Sequence, residues 1–236
     1  MLSIPRKILM VLRAECFSPN AVEKDAAVLH AVGRCLESRG AQVEYLREEQ
    51  LSAADGVIGS DVGAIFTMAR SEVVLNKLQR AEDDEVEVVN PTRGVRLCGS
   101  RRAIDELMRV NDIPAAPAYQ HGAGWVKSDS GHQVCFAADE SAVASLCKTI
   151  AHPVVTAHVA GTDLKFYGVA DAFFYPSGHP NLRQAAVRLA RLAGVSVYGG
   201  DAVVRPDGSF VIVDFNDWPS FSPCRDEAAA AISQLV

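Results

Sequence analysis

The chain has 236 residues, 49% of them hydrophobic, and a formal net charge of -6. That is enough apolar surface to bury a core in one large domain or two small ones. The acidic balance, without a cluster of Lys and Arg, excludes a general nucleic-acid binder, because neutralising phosphates needs a concentrated basic face.

The N-terminal stretch from Met1 to Leu12 joins basic residues to an apolar run too short for a signal peptide, and it has no cleavage site. No run reaches the about 20 apolar residues that span a bilayer, so no membrane partner is expected. The six cysteines (Cys16, Cys35, Cys98, Cys135, Cys147, Cys224) show neither a CxxC pair nor metal-ligand spacing, which predicts reduced thiols and a cytoplasmic location. Lys7–Leu12 reads as a buried strand, and the loop after it reaches Asn20, with Glu23 three positions on, the spacing of a capping box. The helix that follows runs to about Arg39 and ends at Gly40. Residues 42–46 read as a second strand, so the chain opens strand-helix-strand. Strands at 64–68 and 86–90 flank a helix at 71–80. No GxGxxG follows the first strand, so no dinucleotide site is indicated there. Pro91-Thr92-Arg93-Gly94 reads as punctuation closing a small α/β domain, residues 1–93.

Ser100 caps a helix with Ile104, Leu107 and Met108 on its apolar side; it ends near Asn111, ahead of Ile113-Pro114-Ala115-Ala116-Pro117. A strand at 124–127 ends in Lys127, a polar loop at 128–132 contains Ser130 and Gly131, and residues 133–136 form the returning strand. Such a loop can turn backbone N–H groups toward an anion while the lysine adds positive charge; a solvated, strand-flanking Lys127 is the other reading. A helix at 140–150 completes a lobe of residues 94–152.

Residues 153–236 open with a strand at 153–159, a break at Gly161, and one or two strands at 165–175. The break leaves backbone groups of Thr156, Ala157, His158 and Val159 to read a purine edge. His158 has no Cys or His partner for a metal, and so reads as a packed or supporting histidine. A helix at 181–193 ends at Gly194. Then comes a hairpin, two β-branched runs joined by Pro206-Asp207-Gly208. Asp201 starts its first strand; in its second, Val211, Val213 and Phe215 share one face and Ile212, Asp214 and Asn216 the other. Hard oxygen donors from Asp214 and Asn216, with Asp201 opposite, suit Mg2+, although Asp214 and Asn216 also read as a simple strand cap. A last helix begins at about Arg225.

The order and spacing of these pieces resemble the ATP-grasp superfamily over residues 94–236: Ser100 to Leu107 with Ile113 to Pro117, then Trp125-Val126-Lys127, Gly161 to Lys165, Asp201, and Asp214-Phe215-Asn216. The resemblance implies an α/β protein with the ATP-grasp fold, two α+β lobes (94–152 and 153–236) behind a small N-terminal α/β domain. It implies ATP between the lobes with Mg2+ or Mn2+ on Asp201, Asp214 and Asn216. Lys127, with Ser130 and Gly131, would hold phosphates, Thr156 to Val159 would form the adenine hinge, and Asp163 would approach the ribose. Arg102 or its neighbour Arg101 stands where the family has a phosphate-binding lysine. Lys165, Arg183 and Arg225 would act on phosphates or acceptor, with Ser220 a further acceptor contact and Arg188 the alternative to Arg183. The activity implied is a carboxylate-amine ligase similar to RimK-like and glutathione-synthetase-like enzymes, acting on a small-molecule acceptor. Asp at position 214, as in the inositol-phosphate kinase branch, keeps open a kinase acting on a hydroxyl of a polyol or phosphorylated metabolite. A nucleotide-binding module without turnover is the third alternative. Relatives also suggest a homodimer.

Overall fold

The computed structural model describes residues 7–17, 22–54, 58–175 and 178–236. Asn20 of the expected capping box and the Pro176-Ser177 pair lie outside them. The front of the chain alternates β1 (Lys7–Leu12), α1 (Val22–Ser38), β2 (Gln42–Arg47), α2 (Glu48–Ala53), β3 (Ala64–Thr67), α3 (Glu72–Asp83) and β4 (Glu87–Val89). Its four strands are parallel in the order β2-β1-β3-β4. A parallel strand covered by helices on both faces needs apolar residues throughout, which is why Lys7–Leu12 is continuous rather than alternating. Ile8 and Met10 pack in one cluster with α1, while Leu9 and Val11 join α3 in another. Gly40, at φ +94°, turns the chain out of α1 into β2.

Two α-helices escaped the sequence reading, besides a single 3-10 turn at Glu15–Phe17. One is α2. The other is α4 (Thr92–Cys98), which occupies the segment read as punctuation. Pro91 stands at its N-cap, where its missing N–H costs nothing, so a residue that usually interrupts structure here starts a helix.

Next come α5 (Arg101–Val110), β5 (Gly124–Ser128), β6 (Val134–Ala137), α6 (Glu140–Thr149) and β7 (Pro153–Ala157), the strands forming an antiparallel sheet in the order β6-β5-β7. The Ser100 hydroxyl accepts from Ala103 N and caps α5 as expected. The third sheet contains β8 (Thr162–Val169), β9 (Ala172–Tyr175), β10 (Val197–Val204) and β11 (Phe210–Asp217), antiparallel in the order β11-β10-β8-β9, with α7 (Pro180–Ala193) between β9 and β10 in sequence and α8 (Arg225–Ile232) last.

Helix α7 covers one face of this sheet: Leu182, Ala186 and Leu189 pack with Phe166, Ala202, Ile212 and Phe215. Helix α8 returns to pack on α1, and Ala228 and Ile232 share a core with Ile8, Val169, Val197 and Trp218. Buried Asn90 ties the front sheet to β10: its Oδ1 accepts from Ser196 N at 2.9 Å and Val197 N at 2.8 Å, and its Nδ2 donates to Val197 O at 2.7 Å.

Candidate active site

The face of the third sheet opposite α7, beyond the part that α8 covers, carries the charges. Asp201 lies opposite Asp214 on β11 and opposite Lys165 on β8, so three charged residues form a row across three strands. Lys165 Nζ is 2.8 Å from Asp201 Oδ1.

The strict alternation expected along β11 fails once. Pairing steps from Asp201 opposite Asp214 to Ala202 opposite Ile212, so Val213 is an extra residue, a β-bulge. Parity reverses there, and Ile212 joins Phe215 in the core under α7 instead of sharing a face with Asp214. Opposite the bulge the backbones close in: a Cβ on Gly200 would lie 2.1 Å from the Asp214 carbonyl oxygen, so only glycine fits. The bulge residue presents its carbonyl to Lys127, whose Nζ donates to Val213 O at 2.6 Å.

Asn216 Nδ2 donates to Asp214 Oδ2 at 2.6 Å, and Arg101 Nε stands 3.7 Å from Asp214 Oδ1. Among the described residues no three His, Cys, Asp or Glu gather to hold a metal by themselves. Two adjacent carboxylates with an amide oxygen fit a hard cation that draws its remaining ligands from water and phosphates.

A chamber of about 510 Å3 opens beside this row. Lys127, Asp201 and Asp214 line it, as do Thr156, Ala157, His158, Val159 and Asp163, so residues far apart in sequence converge. Two amides of the hinge segment are already used: Ala157 N donates to Pro117 O at 2.9 Å and His158 N to Ala123 O at 3.0 Å. The expectation of an unpaired hinge backbone fails for these two groups, because the chain preceding β5 passes close to β7. His158 Nδ1 accepts from Trp125 Nε1 at 3.3 Å and its ring meets Phe136 edge-on at 5.3 Å, but the residue is exposed, held by its neighbours rather than packed in a core. Lys127 is 8% exposed. Burial pushes its ammonium below the usual lysine value, and the Asp214 carboxylate opposes that shift. The hydrogen bond to Asp201 holds Lys165 above its usual value.

A second chamber, about 420 Å3, shares Asp214 with the first and extends toward the front sheet. Ser130, Gly131 and Asn216 line it, together with Arg13, Arg70 and Asp217. Arg101 fixes the 128–132 loop, its Nη1 donating to Ser128 O at 2.6 Å and Gly131 O at 2.7 Å. Asp129 holds the same loop to α5, accepting from Ser100 Oγ at 3.0 Å and Arg102 N at 2.9 Å. The side chain of Arg102 is exposed and reaches Pro153 O at 3.4 Å. Successive helical residues point about 100° apart, so Arg101 takes the place expected of Arg102.

Arg183 lines neither chamber. It sits on α7, behind the sheet, and its Nη2 donates to Asp171 O at 3.2 Å. Arg188 is likewise exposed on α7. Arg225 opens α8 and lines neither chamber, whereas Ser220 lines the second.

Arg13, Asp25, Arg70 and Asp217 were not singled out from sequence. Arg13 follows β1 and Arg70 lies three residues beyond β3, at the carboxyl ends of parallel strands where α/β sheets bind ligands, and that position was the available signal. Buried Glu48 holds this region, accepting from Ala14 N at 3.0 Å, Arg70 N at 2.9 Å and Ser71 N at 2.6 Å. Trp218 (φ +46°) and Phe221 (φ +48°) adopt left-handed backbone that bulky residues rarely take, and Trp218 lines the second chamber. No helix among the described residues is long and apolar enough to cross a membrane.

No family model and no curated protein matches the sequence. Solved structures do match. A D-alanine–D-alanine ligase from Bacillus anthracis complexed with ATP is 10% identical with a TM-score of 0.72, over 97% of this chain and 95% of that one. A RimK domain ATP-grasp protein from Sphaerobacter thermophilus is 18% identical with a TM-score of 0.72, over 98% and 99%. The ATP-grasp ligase PsnB, complexed with a minimal precursor, is 15% identical with a TM-score of 0.66, over 96% and 99%. The chain therefore has the ATP-grasp fold, a mixed α/β architecture.

Proposed function

We propose that the protein is an ATP-dependent ligase that joins a small-molecule carboxylate to an amine through an acyl phosphate. The observation that carries this reading is the cross-strand row of Lys165, Asp201 and Asp214, with Lys127 docked on the bulge beside it, at the junction of two chambers. One chamber then takes the nucleotide and the other the acceptor. The two structural neighbours named as ligases support the reaction class.

The adenine sits against the Thr156 to Val159 segment, Asp163 faces the ribose, and Lys127 contacts the phosphates. Asp201, Asp214 and Asn216 would hold Mg2+, which neutralises phosphate charge as the phosphoryl group moves. Arg101 holds the 128–132 loop at the meeting point. A carboxylate oxygen of the acceptor forms a bond to the γ-phosphorus as the bond to the ADP oxygen breaks. The amine then attacks the acyl carbon, phosphate leaves with the bonding electrons, and the amine gives up a proton. No protein nucleophile is required, so the protein's contribution is position and charge.

The test is to incubate the protein with MgATP and a panel of acids, amines and polyols while following ADP, AMP and phosphate. ADP with free phosphate that requires both an acid and an amine is expected. ADP without free phosphate, with the phosphoryl group recovered on an alcohol, overturns the ligase in favour of a kinase.

A further inference from the structure

The β6-β5-β7 sheet turns one face toward the first chamber. On β5, Trp125 and Lys127 line that chamber, while Val126 between them packs on the other face with Val143 of α6. Phe136 and Val134 lie opposite these two residues on β6 and are 49% and 45% exposed, so part of the face is apolar and uncovered. The rings there are clustered: Trp125 and Phe136 have centroids 5.3 Å apart, and His158 stands 5.3 Å from Phe136 and 6.4 Å from Trp125. The chamber is therefore charged beside Lys127, Asp201 and Asp214 and aromatic beside Trp125 and His158. A nucleotide is divided in the same way, into a polyphosphate and a flat base whose π-face stacks on an indole.

One hydrogen bond sets where the indole stands. Trp125 Nε1 donates to His158 Nδ1 at 3.3 Å. An indole nitrogen only donates, so Nδ1 carries a lone pair. His158 is itself tied to the same strand, its backbone N donating at 3.0 Å to the carbonyl of Ala123, the residue before β5. The imidazole is thus held to β5 through both backbone and side chain, although it lies in the break after β7. His158 is exposed, where water could equally accept the indole N–H. What the imidazole adds is a fixed direction for the indole plane, in a side chain that would otherwise turn about its torsions.

We propose that the base of the nucleotide stacks on the Trp125 indole, and that His158 is the positioning residue that sets the indole plane by accepting its N–H. The inference rests on the nucleotide reading of the first chamber; what it adds is the indole–imidazole pair.

The test compares calorimetric binding of MgATP with that of magnesium tripolyphosphate, which carries the phosphates and no base. Trp125→Leu is expected to weaken MgATP about tenfold, the scale of one stacked base, and to leave tripolyphosphate unchanged. MgATP should quench the indole emission of wild type and not that of Trp125→Phe, because the other tryptophan, Trp218, is 1% exposed. His158→Phe keeps a ring against Phe136 but offers no acceptor, and should weaken MgATP about threefold, less than a full hydrogen bond because water replaces it. His158→Gln keeps an acceptor and should recover most of that loss. In Trp125→Phe protein, which has no indole N–H at this position, adding His158→Phe should change nothing further. If Trp125→Leu does not fold, the quenching and the Trp125→Phe series decide. MgATP binding unaltered in Trp125→Leu overturns the proposal, as does a His158→Phe loss that persists without the indole or that His158→Gln shares in full. Wild-type protein that binds tripolyphosphate as tightly as MgATP keeps its phosphate site and overturns the stacking. Wild-type protein that binds neither overturns the nucleotide reading, and this proposal with it.

Discussion

The two chambers share Asp214 but are assembled differently. The first chamber takes its walls from a few short stretches: the end of β5, the β7–β8 break and the facing strands of one hairpin. The second chamber joins Arg13 and Arg70, from the carboxyl ends of front-sheet strands, to Asp217 and Trp218 at the far end of the chain. The first holds Lys127 on a backbone carbonyl, with no carboxylate in hydrogen-bond contact. The second matches every guanidinium with a carboxylate. With one lysine against Asp163, Asp201 and Asp214, the first chamber suits polyphosphate only together with a divalent cation that neutralises the carboxylates.

Asp214 belongs to both, and its replacement should have the largest effect. Asp214→Asn is expected to lower MgATP-dependent turnover by about a thousandfold, the scale of losing one electrostatic contact to the transferring group, with the circular dichroism spectrum unchanged. Unchanged turnover would remove the row from the chemistry. Lys127→Met separates the chambers. It should weaken ATP about 10- to 100-fold, the worth of one charged hydrogen bond, and leave the second chamber, which Lys127 does not line, unchanged. Burial lowers the Lys127 value below 10.5, so the folded state holds this proton less firmly than the unfolded chain. Wild-type stability should therefore rise with pH between the lowered value and 10.5, and the Met variant, measured by urea unfolding, should lose that rise while its Tm stays level or increases.

Asn90 touches neither chamber but ties the front sheet, and with it Arg13 and Arg70, to β10. Asn90→Ala leaves buried amides of Ser196 and Val197 unmatched and should cost about 2 kcal/mol in urea unfolding. The smallest effect belongs to the Lys165–Asp201 pair, whose side chains are 66% and 37% exposed. Solvent screening limits it to under about 1 kcal/mol. Because its partner raises the Lys165 value above 10.5, the contribution is complete below 10.5 and lost only as pH climbs through the raised value. The stability difference between wild type and Lys165→Met should thus be flat from about pH 6 to 9.

The difference between the chambers also decides what the sequence reveals. Lys127 and Thr156 to Val159 sit at strand ends and the β7–β8 break, which periodicity marks; Asp201 and Asp214, expected at strand ends, lie instead in the middle of β10 and β11, and all of these residues, with Asp163, line the first chamber. Arg13 and Asp217 are separated by most of the chain, and the return of α8 onto α1, the Asn90 clamp and the Arg70–Asp217 ion pair bring their segments together. Periodicity carries no signal for such a meeting. Arg101 and Arg102 differ by one helical step, which propensity cannot assign without the packing of α5. The Val213 bulge was hidden because period-2 reading assumes an unbroken ladder, although Gly199-Gly200 on the facing strand is the residue pair a close approach requires. Arg183 fell behind the sheet for a related reason: α7 is amphipathic, and which face of the sheet it covers depends on the crossover, not on the helix.

Calorimetric titration of ATP into the wild-type protein and into Asp214→Asn, each with and without Mg2+, tests the nucleotide chamber most directly. Wild type should bind ATP far more tightly with Mg2+ than without, and Asp214→Asn should lose that dependence. ATP binding that ignores both Mg2+ and the substitution, or no binding at all, would contradict the assignment.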